Sequence, residues 1–544
     1  MSLARRAVRG AVWTILTSVL ARFLGVFGTL VLTHLLAPQV VGEVSVATVL
    51  MLSANQFSSL GFGQYVVANR TLPATGVFQV ATLHLGFGLA GVIAVVLLSE
   101  PLAPILGAPG MTQYVPGLAL SIILNRISII PERVLVREMK FAMVGVARTA
   151  GEIGYVLTAV ALAYLGWGGA AIVMGNVTRS LVRSVIILGS TPARAWLVPS
   201  KLEAKLCRDV FRFGGPLWLG SSASFFAGKW DNLLMSSLFG STQLGLYNQG
   251  YNLADIPTSH VGEHIGDVLL PSFTRMDDGA QRRALVRSAG LLALIVFPLA
   301  VGLGAVSRTL VAALLSEEWQ GVAPYLTILS ALSVARPIGW IVFSYLQARH
   351  QTRAVAVLEI GKLAAILSFI AALSPLGPLW SAAGVGCGFT LHAMVSMWVI
   401  NRTDAVPMSR MLIAMLGPLS ACAPMVGAVL AVRHGLGLSH RTPALGLILE
   451  VLAGALVYAA SAMFMARTVT RDFLELLRHS FLRRQEPPPT SETPPTSETP
   501  PTSGTPPTSE TPPTAGTAQT PPTPQTPPTP QNPAAPTGSG GPPA

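Results

Sequence analysis

A succession of apolar segments, each about as long as a bilayer is thick, leaves this 544-residue chain few ways to fold. Hydrocarbon offers the backbone no hydrogen-bond partners, so a spanning segment must satisfy its own amides as a helix or join a closed barrel. Runs of about 20 apolar residues are helical spans, whereas barrel strands are half that length. The pattern predicts spans at roughly 11–36, 40–66, 77–99, 112–136, 142–165, 167–189, 209–239, 242–270, 284–313, 321–347, 353–373, 377–400, 409–432 and 443–466. Short turns rich in Pro and Gly separate many of them, as at Ala37-Pro38 and Gly107-Ala108-Pro109-Gly110. Only 11% of the residues are charged, against roughly 25% in soluble domains. The expected fold class is an all-α polytopic membrane protein with about fourteen transmembrane helices.

The net charge of +12 could suggest a nucleic-acid partner. Its distribution argues against one. With the N-terminus in the cytoplasm, nearly every loop Arg and Lys falls on the inside, among them Arg5, Arg6, Arg9, Arg133, Arg137, Lys201, Lys205, Arg282, Arg283 and Arg410. Only Arg308, Arg433 and Arg441 fall outside. That bias orients helices in a membrane, and it puts both termini in the cytoplasm. The first apolar run, Ala11 to Leu36, is too long for a signal peptide and contains Arg22, so it is expected to stay as the first helix. Cys207, Cys387 and Cys422 fit neither a disulfide framework nor a metal-ligand spacing.

The chain also starts twice. Leu35-Leu36-Ala37-Pro38-Gln39-Val40-Val41-Gly42 lines up with Leu238-Phe239-Gly240-Ser241-Thr242-Gln243-Leu244-Gly245, 203 residues later. Ile130-Pro131 and Glu152 have counterparts in Arg336-Pro337 and Glu359. Two six-helix lobes follow, 1–190 and 207–400, joined by a cytoplasmic linker at 191–206. An even number of spans per lobe makes the pseudo-repeat parallel, with its axis along the membrane normal. Two extra C-terminal helices occupy 401–470. From Glu486 the composition changes to PPTSET-like repeats, so 486–544 is expected to be a disordered, Pro/Thr-rich cytoplasmic tail.

A charge inside a span is costly and usually faces protein or water. Arg22 and Lys229 lie in the opening helices of the two lobes, with Arg126 and Arg336 in later spans. Cations in an internal cavity could clamp a phosphate or diphosphate; the alternative is an ion pair with a neighbouring helix. Asp231 stands two residues after Lys229, about 200° around a helix, so the two cannot share a face. Asp231 and Asp255 are the candidates for coupling to an ion. Glu152 and Glu359 have basic residues within helical reach, Arg148 and Lys362, and read as intrahelical pairs. Arg179, close to Arg183, reads as a side chain reaching for the cytoplasmic surface.

The phosphate-binding GxxxxGK[ST], the HExxH and the CxxC patterns do not occur. No cofactor and no metal site is expected, and energy would come from gradients. Gly10-Ala11-Val12-Trp13-Thr14, Leu35-Leu36-Ala37-Pro38 with Gly42, and Leu60-Gly61-Phe62-Gly63 form one set of markers. Phe213-Gly214-Gly215-Pro216, Lys229-Trp230-Asp231 and Leu244-Gly245-Leu246-Tyr247 form another. Over about 1–470 the chain resembles the polysaccharide-biosynthesis (Wzx, PST) flippases of the multidrug/oligosaccharidyl-lipid/polysaccharide transporter superfamily. The resemblance implies a two-lobed bundle that works by alternating access in a bacterial inner membrane. It implies, as cargo, an undecaprenyl-diphosphate-linked glycan for exopolysaccharide, capsule or O-antigen, and, as partners, a polymerase and export machinery. It places Arg22 and Lys229 on cavity-lining helices. A drug/cation antiporter of the same superfamily and a membrane polysaccharide polymerase or ligase are the rival readings. The predicted outward loops are too short for the latter, and no enzyme activity is expected.

Overall fold

The computed structural model describes residues 20–21, 23–436 and 442–482. Two compact units divide the chain at Leu482, and the second, with the Pro/Thr-rich segment 486–544, lies outside the described residues. Within the first unit the described residues are helical, with no strand. Eleven described helices are long and apolar enough to cross a membrane. Their lipid-facing surface includes exposed Leu97, Leu157, Leu456 and Phe464, a band of apolar side chains that only a bilayer covers favourably.

The first half comprises α1 (Phe23–Leu32), α2 (Pro38–Phe57), α3 (Phe62–Ala68), α4 (Ala74–Ile105), α5 (Val115–Arg137), α6 (Phe141–Tyr164) and α7 (Gly169–Ser190). The second comprises α8 (Ala204–Ala227), α9 (Trp230–Phe273), α10 (Asp278–Leu314), α11 (Val322–Leu332), α12 (Arg336–Ala348), α13 (Thr352–Leu373) and α14 (Pro378–Asp404). Then come α15 (Met408–Leu436), α16 (Pro443–Met465) and α17 (Arg467–Leu482). Segment 191–206 is a short 3-10 turn at Ala193–Ala195 followed by extended chain, before α8 begins at Ala204. It is sewn to α4: Ser200 donates to the Thr75 carbonyl at 3.0 Å, and the Glu203 amide donates to Gln79 at 3.0 Å.

Several expected spans are interrupted. The second breaks between α2 and α3, where Leu60 and Gly61 both take positive φ. Gly61 also lies so close to α8 that a Cβ would stand 2.7 Å from the Gly214 Cα, so only glycine suits the position. The seventh breaks at Gly228-Lys229, and α9 carries a second break at Gly240, φ 81°. The tenth is split by a 3-10 turn at Ser333–Ala335. Such breaks in a membrane helix persist where other groups satisfy the freed amides or the segment lines a cavity.

The appended helices α15 and α16 pack against α10 around an ion pair. Glu450 is fully buried; it accepts from Arg433 at 2.9 and 3.1 Å and from the Thr309 hydroxyl at 2.8 Å. Arg433 also donates to the Ala305 carbonyl at 2.6 Å. Removing one partner leaves a buried charge uncompensated, which costs about 3–5 kcal/mol. Glu450→Ala is therefore expected to lower the thermal midpoint of the detergent-solubilised protein by several degrees. Glu450→Ala with Arg433→Leu should recover part of that loss.

Candidate functional site

Glycines let the two halves meet. A Cβ at Gly42 on α2 would overlap the Ser241 carbonyl on α9, and a Cβ at Gly245 would overlap the Pro38 carbonyl. The contact is reciprocal, because Pro38 and Ser241, like Gly42 and Gly245, are equivalents in the 203-residue repeat. Further along the same helices Asn248 donates to the Ser45 hydroxyl at 3.0 Å, again across 203 positions. Equivalent residues touch one another only at a two-fold axis. Around this seam, the Ser316 hydroxyl and the Trp319 indole donate to the Thr33 and Leu36 carbonyls at the end of α1, at 2.7 and 3.0 Å.

Toward the other end of α2, aromatic rings fill the gap between the halves. Phe57 packs on Phe226 with centroids 4.8 Å apart, and Phe226 packs on Trp230 at 4.3 Å. Trp218 donates to the Gln56 carbonyl at 2.9 Å, and Trp230 donates to Ser53 at 3.1 Å.

Along α2, between the seam and the aromatic rings, lies a cavity of about 230 Å³. Ser45, Thr48 and Asn176 line it from the first half, and Lys229, Asn232 and Asn252 from the second. Lys229 enters this space because the helix stops at Gly228: its own backbone is not helical, and it caps α9. It makes no ion pair among the described residues. A cation thus faces neutral hydroxyls and amides, an arrangement able to receive an anionic group. Arg22 falls outside the described residues.

The other expected site residues lie elsewhere. Arg126 is buried inside the first half, where it donates to the carbonyls of His84 at 2.7 Å and Asn55 at 2.9 Å, and to Ser58. Asn55 belongs to the last turn of α2, the negative end of the helix dipole, where a cation is stabilised. Gly88 on α4 makes room, since a Cβ there would overlap the guanidinium. Arg126 therefore holds the end of α2 and does not line the cavity, a correction to the sequence reading.

Arg336 is corrected likewise. It is buried against the Phe389 and Tyr251 rings, 4.4 and 4.9 Å from their centroids, and it is paired with Asp255. Tyr251 and Asp255 are four residues apart on α9, one turn, so they present a single face to the arginine. Asp231, next to the cavity in sequence, turns into the second half, where it is 1% exposed. One of its oxygens accepts from Tyr247 at 2.5 Å; the other has no hydrogen-bond partner among the described residues.

The remaining acids hold helices together. Glu359 pairs with Lys362 at 2.6 Å, as the spacing predicted, and also accepts from Ser224. Glu152 departs from the expected intrahelical pattern: it pairs across to Arg179 on α7 at 2.9 Å. Arg179, its side chain 36% exposed, also stacks over the Tyr155 ring at 4.0 Å.

Comparison with known proteins agrees with this architecture. The chain is 23% identical to the lipopolysaccharide biosynthesis protein WzxC of Escherichia coli (strain K12), over 73% of this chain and 80% of that one. It is 24% identical to the succinoglycan biosynthesis transport protein ExoT of Rhizobium meliloti (strain 1021), over 87% and 96%. Its fold is that of the lipid II flippase MurJ in an inward closed conformation, with a TM-score of 0.67 at 12% identity, covering 84% of this chain and 100% of that one. A family profile described as polysaccharide biosynthesis protein matches residues 31–324, more than half of the sequence, and the chain belongs to that family.

Proposed function

We propose that the protein is a flippase that moves a lipid-linked oligosaccharide from the cytoplasmic to the outer leaflet of the inner membrane by alternating access. The cargo class we assign is an undecaprenyl-diphosphate-linked glycan, destined for exopolysaccharide, capsule or O-antigen. The observation that carries this reading is the cation Lys229 in a polar cavity between two halves that meet through reciprocal contacts. A diphosphate cannot enter about 30 Å of hydrocarbon unaided. A polar cleft with a cation offsets its desolvation while the lipid tail remains in the bilayer.

The two closures on either side of Lys229 would act as alternate gates. Opening the glycine seam exposes the cavity to one side; parting Phe57 from Phe226 and Trp230 exposes it to the other. Arg22, which lies in the first apolar run of the sequence, is the second cation we assign to the diphosphate. Asp231 is the better of the two ion-coupling candidates: one buried oxygen is free to take a proton or a cation, whereas Asp255 is held by Arg336. The polarity of the cavity speaks against the antiporter alternative, because its lining carries a lysine and no carboxylate. Polymerase and export machinery of a polysaccharide pathway are the partners this function requires.

A deletion strain tests the proposal. Loss of the protein should abolish surface polysaccharide and cause the lipid-linked intermediate to accumulate on the cytoplasmic leaflet. Loss of polymer with fully assembled intermediate already on the outer leaflet would instead indicate a polymerase or ligase.

A further inference from the structure

A basic pocket lies apart from the cavity and shares no lining residue with it. It measures about 570 Å³ and lies where α10, the turn at Ala405–Pro407, the start of α15 and α17 converge. Four arginines line it: Arg282, Arg283, Arg287 and Arg410. The nearby carboxylates are already engaged, and Asp472 is the one that lines the pocket itself. Asp277 caps α10 through the amides of Gly279 and Ala280. Asp278 and Asp404 both pair with Arg349, at 3.0 and 2.9 Å. Asp472 on α17 pairs with Arg287 at 3.0 Å. Arg282, Arg283 and Arg410 make no ion pair among the described residues, and the Arg282 Nε is buried without a partner. Three uncompensated guanidiniums at one pocket repel one another unless an anion joins them.

The surroundings identify the anion. The pocket sits at the arginine-rich end of the bundle, which the positive-inside bias places at the cytoplasmic leaflet. Leu412, Ile413 and Leu416, within two turns of Arg410, are exposed on the bundle's apolar exterior. On the other wall, α17 exposes Leu474 and Leu476 beside its charged residues. A basic pocket between helix ends, bordered by lipid-facing side chains at headgroup depth, matches the chemistry of an anionic phospholipid. Its volume also exceeds that of a free phosphate ion and accommodates a glycerophosphate headgroup.

We infer that Arg282, Arg283 and Arg410 bind the phosphate of an anionic phospholipid of the cytoplasmic leaflet, with its acyl chains lying along α15 and α17. The site rests on the orientation of the bundle and not on the identity of the cargo. Bound lipid would fasten α17 to α10 alongside the Arg287–Asp472 pair.

The test uses the full-length protein in phosphatidylcholine nanodiscs, with phosphatidylglycerol as probe and native mass spectrometry and thermal unfolding as readouts. Phosphatidylglycerol should be retained in preference to phosphatidylcholine and should raise the unfolding midpoint. Each basic residue near the surface contributes about 1 kcal/mol toward an anionic lipid, so R282Q/R283Q/R410Q should weaken retention roughly 100-fold. The three replaced side chains make no ion pair among the described residues and repel one another, so the variant's midpoint in phosphatidylcholine alone should match or exceed the parent's. Arg410→Gln alone, at an exposed position, should give a graded loss of about 5- to 10-fold. R194Q/K201Q/K205Q, which removes three charges elsewhere at the same end, should retain the lipid. Undiminished retention in R282Q/R283Q/R410Q, or equal loss in R194Q/K201Q/K205Q, would overturn the assignment. So would inorganic phosphate giving the same midpoint rise, which would mark a free-phosphate site.

Discussion

Lys229→Ala is expected to reduce polysaccharide export roughly 10- to 150-fold, the loss of one charge-assisted contact of about 1.5–3 kcal/mol. The side chain stands in a polar cavity with no carboxylate lining it, so its charge is available to a ligand. Its removal breaks no ion pair among the described residues, and the variant should reach the membrane at the parental level. Lys229→Arg should keep part of the activity, since the charge remains while the point-like ammonium becomes a planar fork. Lys229→Glu should be worse than Ala, because a carboxylate repels a diphosphate. Complementation of a deletion strain, with the lipid-linked intermediate quantified in each leaflet, checks the series. Export at the parental level in Lys229→Ala would remove this residue from the cargo site.

Gly42→Val with Gly245→Val is expected to abolish export altogether. At both positions a Cβ would occupy the space of a backbone carbonyl on the opposite helix, and a backbone cannot move aside as a flexible side chain can. The helices α2 and α9 would have to separate, leaving the seam unable to close and the carrier fixed open on one side. The expected signature is specific. Thiol reagents applied from that side should label Thr48→Cys continuously, whereas the parental background should protect it in part. Gly427→Val, where a Cβ meets nothing within 4 Å, should leave export unchanged and serves as the control.

The sequence made the helical architecture legible because the physics behind it is local. Twenty apolar residues need a bilayer, and a turn such as Ala37-Pro38 needs no distant information. The close approach of α2 and α9 left a trace as well, since the 203-residue repeat pairs Gly42 with Gly245, the two glycines at that contact. The two-residue spacing of Lys229 and Asp231 assumed one continuous helix, whereas Lys229 stands at a break with non-helical backbone and only Asp231 is helical.

What stayed hidden depends on helices far apart in the chain. Arg126 looked like a cavity cation, but its partners are carbonyls on α2 and α4, and a carbonyl leaves no mark in a sequence. Arg336 and Asp255 were two separate candidates until the fold joined them across 81 positions. Glu152 had a basic residue within reach on its own helix, yet Arg179 on the packed neighbour α7 holds it. The break at Gly228-Lys229 carried a sequence signal in its glycine, but an isolated glycine in an apolar run is more often a packing position.

Under alternating access the halves must part at the seam for cargo to cross. Ser45 and Asn248 sit on that seam within hydrogen-bonding distance. In a background with Cys207, Cys387 and Cys422 replaced by Ser, Ser45→Cys combined with Asn248→Cys can be joined by a short thiol-reactive cross-linker whose bridge reducing agent cleaves. Alternating access predicts that lipid-linked glycan reaches the outer leaflet before cross-linking, stops once the bridge is made, and resumes after reduction. Undiminished translocation with the bridge intact would contradict it.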